Sequence, residues 1–272
     1  MSVPSNPPGP LPGEFDLIAR YFAPIARDFP GALNLTDDVA LLDVAAGHRM
    51  AVTTDAIVAG VHFFPDDPPD LIAKKLVRVN VSDLAAKGAK PIACFLAMAL
   101  PRATSSSWLA AFARGLAEDC AAFEIPLAGG DTTATDGPLT LALTACGEVP
   151  QESVPLRSGA KVGDRIFVSG TIGDGALGLE VARGALGDLA TPLRDYLLGR
   201  YRLPDPKIRL GKALRGLIHA AIDISDGLVA DLGHICETSG VDAEIQAAMV
   251  PMSDAVQTAL GKDPSLLPRV LT

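Results

Sequence analysis

Five short segments of the chain carry aspartates beside hydroxyl-bearing or small residues. They are Thr36-Asp37-Asp38, Thr53-Thr54-Asp55, Ser82-Asp83, Gly129-Gly130-Asp131 and Asp223-Ile224-Ser225-Asp226. Each follows or interrupts an apolar run, so we expect them in turns at the ends of strands or helices. Carboxylate and hydroxyl oxygens are hard ligands of the kind that Mg²⁺ binds. The pattern alone leaves two interpretations open, a magnesium site or ordinary capped turns.

Residues 78–91, RVNVSDLAAKGAKP, are the segment around which we expect the other elements to be organised. An apolar run is predicted to reach a polar corner at Asn80, Ser82 and Asp83, followed by a short helix. Ser82 or Asp83 suits the N-cap of that helix, and Gly88 suits the C′ position at its other end. A carboxylate would then be fixed at a helix N-terminus.

The charge balance and the cysteines limit the class of protein. The chain has 23 lysines and arginines against 32 aspartates and glutamates, a net charge of −9. It has no basic stripe for nucleic acid, and an acidic site would repel a phosphate-bearing substrate unless metal ions lie between them. Four widely spaced cysteines are typical of core residues in a reducing compartment. Neither a membrane-spanning run nor a signal peptide is apparent, so we predict a cytoplasmic protein without membrane contact.

Composition and periodicity predict a two-domain chain of α+β or α/β class. Residues 1–13 are predicted to be a flexible proline-rich tail, and the two domains are predicted over residues 14–150 and 151–272. Helices are predicted at residues 14–26, 69–79, 83–88, 175–183, 206–217, 227–238 and 253–260, and after a cap within residues 105–107. Strands are predicted at residues 39–44, 50–54, 92–100, 125–128, 139–149, 164–169, 219–224 and 241–246.

A glycine-rich segment matches the letters of the dinucleotide-binding fingerprint. It runs from Gly173 through Gly175 to Gly178, after a predicted strand. That fold also needs an acidic residue at the end of a second parallel strand about 20 residues later. Residues 189–194 contain a proline and have no strand pattern. We therefore interpret these glycines as residues that let a helix pack closely against a sheet.

Seven segments, taken together, resemble thiamine-monophosphate kinase, a family of the aminoimidazole ribonucleotide synthetase-like superfamily. They are GEFDLIARYF (13–22), TDDVALL (36–42), TTDAIVAGVHF (53–63), NVSDLAAKGAKP (80–91), LAGGDTT (127–133), RSGAKVGD (157–164) and IDISDGLVADLGHI (222–235). The resemblance implies an N-terminal ATP- and metal-binding α/β domain that forms a homodimer through its sheet, and a C-terminal α/β domain. It also implies Mg²⁺-dependent transfer of the γ-phosphoryl group of ATP directly to thiamine monophosphate.

The resemblance further implies roles for individual residues. The implied magnesium-binding set is Asp38, Thr53, Thr54, Asp55, Asp83, Asp131, Asp223 and Asp226. Gly130, Asp131, Arg157 and Ser225 would bind ATP, and His62 would contact thiamine monophosphate. Within these sets Asp83, Asp131 and Asp223 are the expected catalytic residues, with Asp83 bridging metal ions.

Two alternatives to this activity stay open. Members of the family continue beyond a segment like residues 269–272, so the second domain is expected to be truncated here. The first alternative is another ATP-using member of the superfamily, of the hydrogenase-maturation or selenophosphate-synthetase type. The second is a non-catalytic fragment that binds a nucleotide or a metal.

Overall fold

A computed structural model describes residues 13–272 as two compact units. The described part of the first unit comprises residues 13–85 and 89–152, and the second unit comprises residues 86–88 and 153–272. The predicted flexible tail, residues 1–13, lies outside the described residues except for Gly13. In the described range no helix is both long and apolar enough to cross a membrane.

The first unit is built on one four-stranded sheet. Its strands are β1 (His48–Val58), β2 (Lys90–Pro101), β3 (Leu127–Thr135) and β4 (Thr140–Pro150), in the spatial order β1-β4-β2-β3. β4 pairs antiparallel with both β1 and β2, and β3 pairs parallel with β2. The predicted strands 92–100 and 139–149 are therefore confirmed. β1 and β3 are the two edge strands.

Helices account for the rest of this unit. Residues 14–26 form α1 (Glu14–Leu17), a π-helical turn (Ile18–Phe22) and α2 (Ala23–Ala26), which confirms the predicted helix. α3 (Pro69–Ala86) and α4 (Ser106–Ala122) are the long helices, and they are linked by the ion pair between Arg78 and Asp119. Ser105 caps α4 by accepting a hydrogen bond from the Trp108 N–H, as predicted. Buried side chains of α3, α4 and one sheet face form the core.

The opposite face of the sheet is accessible to solvent. Seven residues on it are exposed: Met50, Val52, Thr54, Ala56, Ala97, Asp131 and Thr133. We call this surface the open face. Side chains alternate between the two faces of a strand, so Thr53 and Asp55 point away from the open face and towards the core side.

The predicted corner at Asn80, Ser82 and Asp83 is wrong, because α3 continues through all three residues to Ala86. The polar side chains do not break the helix, since Asn80 and Asp83 have partners inside the unit. The Asn80 amide donates to the Leu76 carbonyl at 2.9 Å. The predicted C′ glycine is confirmed: Gly88 has φ +60°, a value that favours glycine.

Two predicted turns are also strand interiors. Asp55 lies within β1, and Gly129-Gly130-Asp131 lies within β3. In contrast, residues 39–44 form no strand, and Leu41 is 64% exposed. An apolar run alone does not make a strand, because a strand also needs a partner to complete its hydrogen bonds.

The second unit consists of helices joined by irregular segments. They are α5 (Asp174–Ala182), α6 (Thr191–Arg202), α7 (Ile208–Ala213), α8 (Leu228–Ser239), α9 (Asp254–Lys262) and α10 (Leu267–Leu271). Residues 153–272, all of them described, contain no strand, so the strands predicted at 164–169, 219–224 and 241–246 are not found. Phe167, in the first of these segments, is 86% exposed. The mixed α/β class predicted for the chain is confirmed by the sheet and helices together.

Two of the three glycines of the fingerprint-like segment, Gly173 and Gly178, lie where helices pack closely, whereas a Cβ added to Gly175 would meet nothing within 4 Å. Gly173 precedes α5 with φ +90°, and a Cβ added to Gly178 would lie 2.1 Å from the Leu197 carbonyl oxygen of α6. Gly178 therefore allows α5 and α6 to approach closely. The close packing is confirmed, although the partner is a helix rather than the predicted sheet.

Candidate active site

A pair of carboxylates lies where β1 meets α3. The Thr53 hydroxyl donates a hydrogen bond to Asp83 Oδ2 at 2.5 Å. Two residues later on β1, the Asp55 backbone N–H donates a hydrogen bond to Oδ1 of Asn80 on α3 at 3.1 Å. Thr53 and Asp55 share a face of β1, and Asn80 and Asp83 share a side of α3 because they are three residues apart. The strand and the helix thus bring Asp55 and Asp83 together.

Asn80 holds this arrangement in place. Its side chain is fully buried, with its oxygen bound to the Asp55 N–H and its nitrogen bound to the Leu76 carbonyl. A buried amide with both ends satisfied has one favoured orientation, because any other would leave polar atoms unpaired. The sequence pattern predicts a corner at Asn80 and indicates no role for its side chain. Its position three residues before Asp83 was the available signal.

The two carboxylates repel each other. Burial raises the pKa of the Asp55 carboxyl, the negative charge of Asp83 raises it further, and nearby His62 lowers it. A raised pKa means that the ionised Asp55 carboxylate lowers the stability of the folded protein. A divalent cation beside both carboxylates would remove that cost.

The donor set fits Mg²⁺ bound together with a phosphate substrate. Within residues 13–272 no three His, Cys, Asp or Glu side chains come together as a complete metal cage. Mg²⁺ commonly uses one or two carboxylates and completes its shell with water and substrate phosphate oxygens. Asp55 and Asp83 supply two carboxylates, and the Thr53 hydroxyl orients one of them.

The other predicted metal ligands of the first unit lie elsewhere in it. Asp38 is exposed in the loop before β1, and the Thr54 hydroxyl is bonded to that of Thr144 at 2.8 Å. Asp131 of β3 lies directly beside Ala97 of β2 in the sheet register. Because Ala97 is on the open face, Asp131 also points to that face. Thr54 and Asp131 thus point away from Asp55. The edge strands β1 and β3 are also separated by three strand spacings, about 14 Å.

His62 lies in the turn that follows β1. Its Nδ1 accepts the Val58 N–H at 3.1 Å, so the proton of the neutral ring is on Nε2. Lys75 of α3 donates to the His62 carbonyl at 2.8 Å. The sequence analysis gave Lys75 no role, yet it anchors the turn that carries a predicted substrate-binding residue.

In the second unit, predicted site residues share one loop before α8. Ser225 and Asp226 are exposed on this loop, and their backbone N–H groups donate to Asp231 Oδ2 at 2.9 and 3.1 Å. Asp231 was missed by the sequence analysis, although a second aspartate five residues after Asp226 was visible. Arg157 begins a short 3-10 helix, and its carbonyl accepts a hydrogen bond from Ser239.

The raised pKa of Asp55 predicts a pH effect on the metal-free protein. A carboxyl whose folded pKa is raised contributes most stability below its unfolded pKa, about 3.9, and loses it as pH rises through the folded value. Without divalent cations, Asp55→Asn should therefore gain stability relative to wild type as pH rises from about 4 to 7. Denaturant unfolding at several pH values measures this difference.

Asp164→Asn is the control, because the pKa of this carboxyl is shifted in the opposite direction to that of Asp55. The Lys161 N–H and His219 lower the pKa of the Asp164 carboxyl. Its removal should reduce stability at neutral pH by an amount that stays constant down to the unfolded pKa, about 3.9, and that shrinks as pH falls further through the lowered folded pKa. A stability difference for Asp55→Asn that does not change with pH would contradict the electrostatic account of the pair.

Two domain families match the chain. The family described as AIR synthase related protein, N-terminal domain, matches residues 36–149, and AIR synthase related protein, C-terminal domain, matches residues 161–266. The predicted fold class of two aminoimidazole ribonucleotide synthetase-like domains is thereby confirmed.

Similar proteins agree with this assignment. Thiamine-monophosphate kinase of Caulobacter vibrioides is 46% identical over 253 residues, which cover 93% of this chain and 71% of that protein. The crystal structure of thiamine-monophosphate kinase from Stenotrophomonas maltophilia K279a has 40% identity and a TM-score of 0.84, covering 95% of this chain and 82% of that one. AaThiL complexed with AMPPCP and TMP has 30% identity and a TM-score of 0.78, covering 86% and 75%. The chain belongs to the thiamine-monophosphate kinase family.

Proposed function

We propose that the protein transfers the γ-phosphoryl group of ATP to thiamine monophosphate, giving thiamine diphosphate and ADP. The observation that carries the proposal is the Asp55–Asp83 pair, held by Thr53 and Asn80 in a chain of this family. Relatives at 44–46% identity are named for this kinase activity, which favours it over the hydrogenase-maturation and selenophosphate-synthetase alternatives.

The reaction needs positioning more than proton transfer. A phosphate oxygen of thiamine monophosphate attacks the γ-phosphorus, and the bond from that phosphorus to the β,γ-bridging oxygen breaks, so ADP leaves with the electron pair. The second pKa of a phosphomonoester is about 6, so the attacking oxygen is already ionised and no general base is required. Bound Mg²⁺ would supply charge neutralisation between the two polyanions.

In the first unit, we assign magnesium binding to the carboxylates and hydroxyls. Asp55 and Asp83 are the central ligands, and Thr53 orients Asp83. His62, with its proton on Nε2, would donate a hydrogen bond to the thiamine monophosphate phosphate. Asp38, Thr54 and Asp131 lie away from the Asp55–Asp83 pair, so as magnesium ligands they would bind a different ion, and Gly130 and Asp131 would also contact ATP.

In the second unit, we assign nucleotide contacts to the loop before α8. The Ser225 hydroxyl would bind ATP phosphate oxygens, and Asp223 and Asp226 would bind Mg²⁺. Arg157 would pair with the phosphates as a planar cationic fork. Because the unit offers carboxylates around this loop, phosphate binding here would depend on the cation.

The proposed activity is tested by supplying ATP, Mg²⁺ and thiamine monophosphate and measuring thiamine diphosphate by chromatography. Unphosphorylated thiamine is the matched acceptor control, because it lacks the attacking phosphate. We expect product only with thiamine monophosphate and only with Mg²⁺. ATP binding without product would support the non-catalytic alternative and contradict the kinase proposal.

We further propose that the protein is a cytoplasmic homodimer. The open face includes Val52, which is 58% exposed, and apolar surface of this kind favours association. Thr54 and Asp131 lie on the same face, so a second copy would lie beside both. The four cysteines are free thiols, as in proteins of reducing compartments.

Val52→Asp is predicted to weaken the dimer. A buried unpaired charge opposes association, so sedimentation should give dimer for wild type and mainly monomer for the variant at micromolar concentration. Val162→Asp, at a residue 93% exposed in the second unit, is the matched control and should leave the dimer intact. A monomeric wild-type protein would contradict this proposal.

A further inference from the structure

One carboxylate oxygen gathers three consecutive backbone amides in the second unit. Asp231 Oδ2 accepts hydrogen bonds from the N–H groups of Ser225, Asp226 and Gly227 at 2.9, 3.1 and 3.1 Å. Asp231 is only 3% exposed and lies in the first turns of α8. The buried Asp231 carboxylate therefore ties the loop to its own helix.

This arrangement requires an unusual backbone at one position. Gly227 has φ +136°, a conformation that side-chain-bearing residues rarely adopt. With glycine there, the chain can turn so that three successive N–H groups point at one atom. Such groupings of amides are typical binding sites for anions, and here the anion is the protein's own carboxylate.

The side chains of the loop point the other way. Ser225 and Asp226 are exposed, while their amides are directed inward to Asp231. Because the amides of Ser225, Asp226 and Gly227 are already used, these residues can offer an incoming phosphate the Ser225 hydroxyl and a cation bound by Asp226. The direction of these two side chains is set by the backbone that Asp231 holds.

We propose that Asp231 is a positioning residue for phosphoryl transfer: it holds the Ser225–Asp226 backbone so that both side chains face the nucleotide phosphates and their magnesium. This inference rests on the proposed function. Asp231 itself does not touch the reacting groups, because its carboxylate is buried behind the loop.

Asp174 provides a matched control for burial and hydrogen bonding. It is 2% exposed, and its carboxylate accepts hydrogen bonds from the hydroxyls of Thr171, Tyr196 and Ser253. Its partners hold α5, α6 and α9 together rather than the loop before α8. Loss of either buried carboxylate should reduce stability, but only the loss of Asp231 should change the loop.

The test compares Asp231→Asn, Asp231→Ala and Asp174→Asn in the full chain, with turnover scaled to the folded fraction. Replacing a residue that orients a ligating group typically lowers activity or metal affinity by about 10- to 100-fold. We expect Asp231→Ala to raise the ATP KM and the Mg²⁺ concentration for half-maximal rate by about tenfold or more. The KM for thiamine monophosphate should stay unchanged. Asp231→Asn, which keeps an acceptor oxygen, should recover part of the loss.

Amide hydrogen exchange supplies a readout that does not depend on the reaction. Exchange at Ser225, Asp226 and Gly227 should accelerate in Asp231→Ala and remain at the wild-type rate in Asp174→Asn. Accelerated exchange with unchanged ATP and Mg²⁺ dependence would overturn the positioning role. If the wild-type protein makes no thiamine diphosphate, the proposed function is contradicted. Unchanged amide exchange in both Asp231→Asn and Asp231→Ala would separately contradict the claim that Asp231 holds the loop.

Discussion

Asp83→Asn is expected to lower kcat for thiamine monophosphate phosphorylation by about 100-fold or more, with little change in the free energy of unfolding. Metal-ion stabilisation of a transition state is worth several kcal/mol, and each 1.4 kcal/mol is tenfold in rate. The variant retains an oxygen that can accept the Thr53 hydroxyl hydrogen bond. Burial is the main cause of the raised pKa of Asp55, and the variant removes the second cause, the Asp83 charge, so the metal-free variant should be no less stable than wild type.

The measurement is steady-state turnover together with denaturant unfolding, both with and without Mg²⁺. Mg²⁺ should stabilise wild type more than the variant, because a ligand stabilises the state that binds it. Glu148→Gln is the matched control, since it removes a carboxylate of β4 that pairs with Lys90, outside the site. Parallel losses of turnover and stability in Asp83→Asn would indicate a structural role for this carboxylate.

Gly130→Ala is expected to destabilise the first unit by about 3 kcal/mol, at the upper end of overpacking effects. A Cβ on Gly130 would lie 1.9 Å from the carbonyl oxygen of Leu96 in β2, a backbone atom that cannot move without disturbing the sheet.

Gly129→Ala, one residue earlier in β3, is the matched control. Its added Cβ would meet only the Phe95 side chain, at 3.1 Å, and that ring can shift. Denaturant unfolding of both variants measures the difference. If Gly130→Ala is as stable as Gly129→Ala but loses ATP affinity, the glycine serves phosphate approach and not strand packing.

Sequence reasoning succeeded where structure depends on neighbours along the chain. Ser105 caps α4 through the N–H of Trp108, three residues later in the chain. Gly88 has a left-handed backbone conformation directly after the helix that it ends. β2 and β4 are long apolar runs that have partners on both sides. In each case the local pattern carries the physical cause.

It failed where distant residues decide. Asp83 was predicted to start a helix, yet it lies inside one, because Thr53, 30 residues away, binds its carboxylate. The Gly129-Gly130 pair was predicted to turn, but Leu96 of the adjacent strand packs on it. Asp231 was missed because its significance depends on three amides that fold back onto it.

The sequence predicted which residue types form the candidate site better than it predicted where their side chains lie. Asp55 and Asp83 were both singled out, and β1 and α3 bring them together. The sequence could not indicate that Asp131 points to the face opposite Asp55, because that depends on strand register, whereas alternation along β1 alone places Thr54 opposite Asp55.

The most direct test of a cation held by Asp55 and Asp83 is a crystal of the protein with Mn²⁺, a non-hydrolysable ATP analogue and thiamine monophosphate. We predict an anomalous peak within about 2.2 Å of a carboxylate oxygen from each aspartate, bridged to phosphate oxygens. A metal bound only by phosphate and water, with both carboxylates outside its ligand shell, would contradict the account.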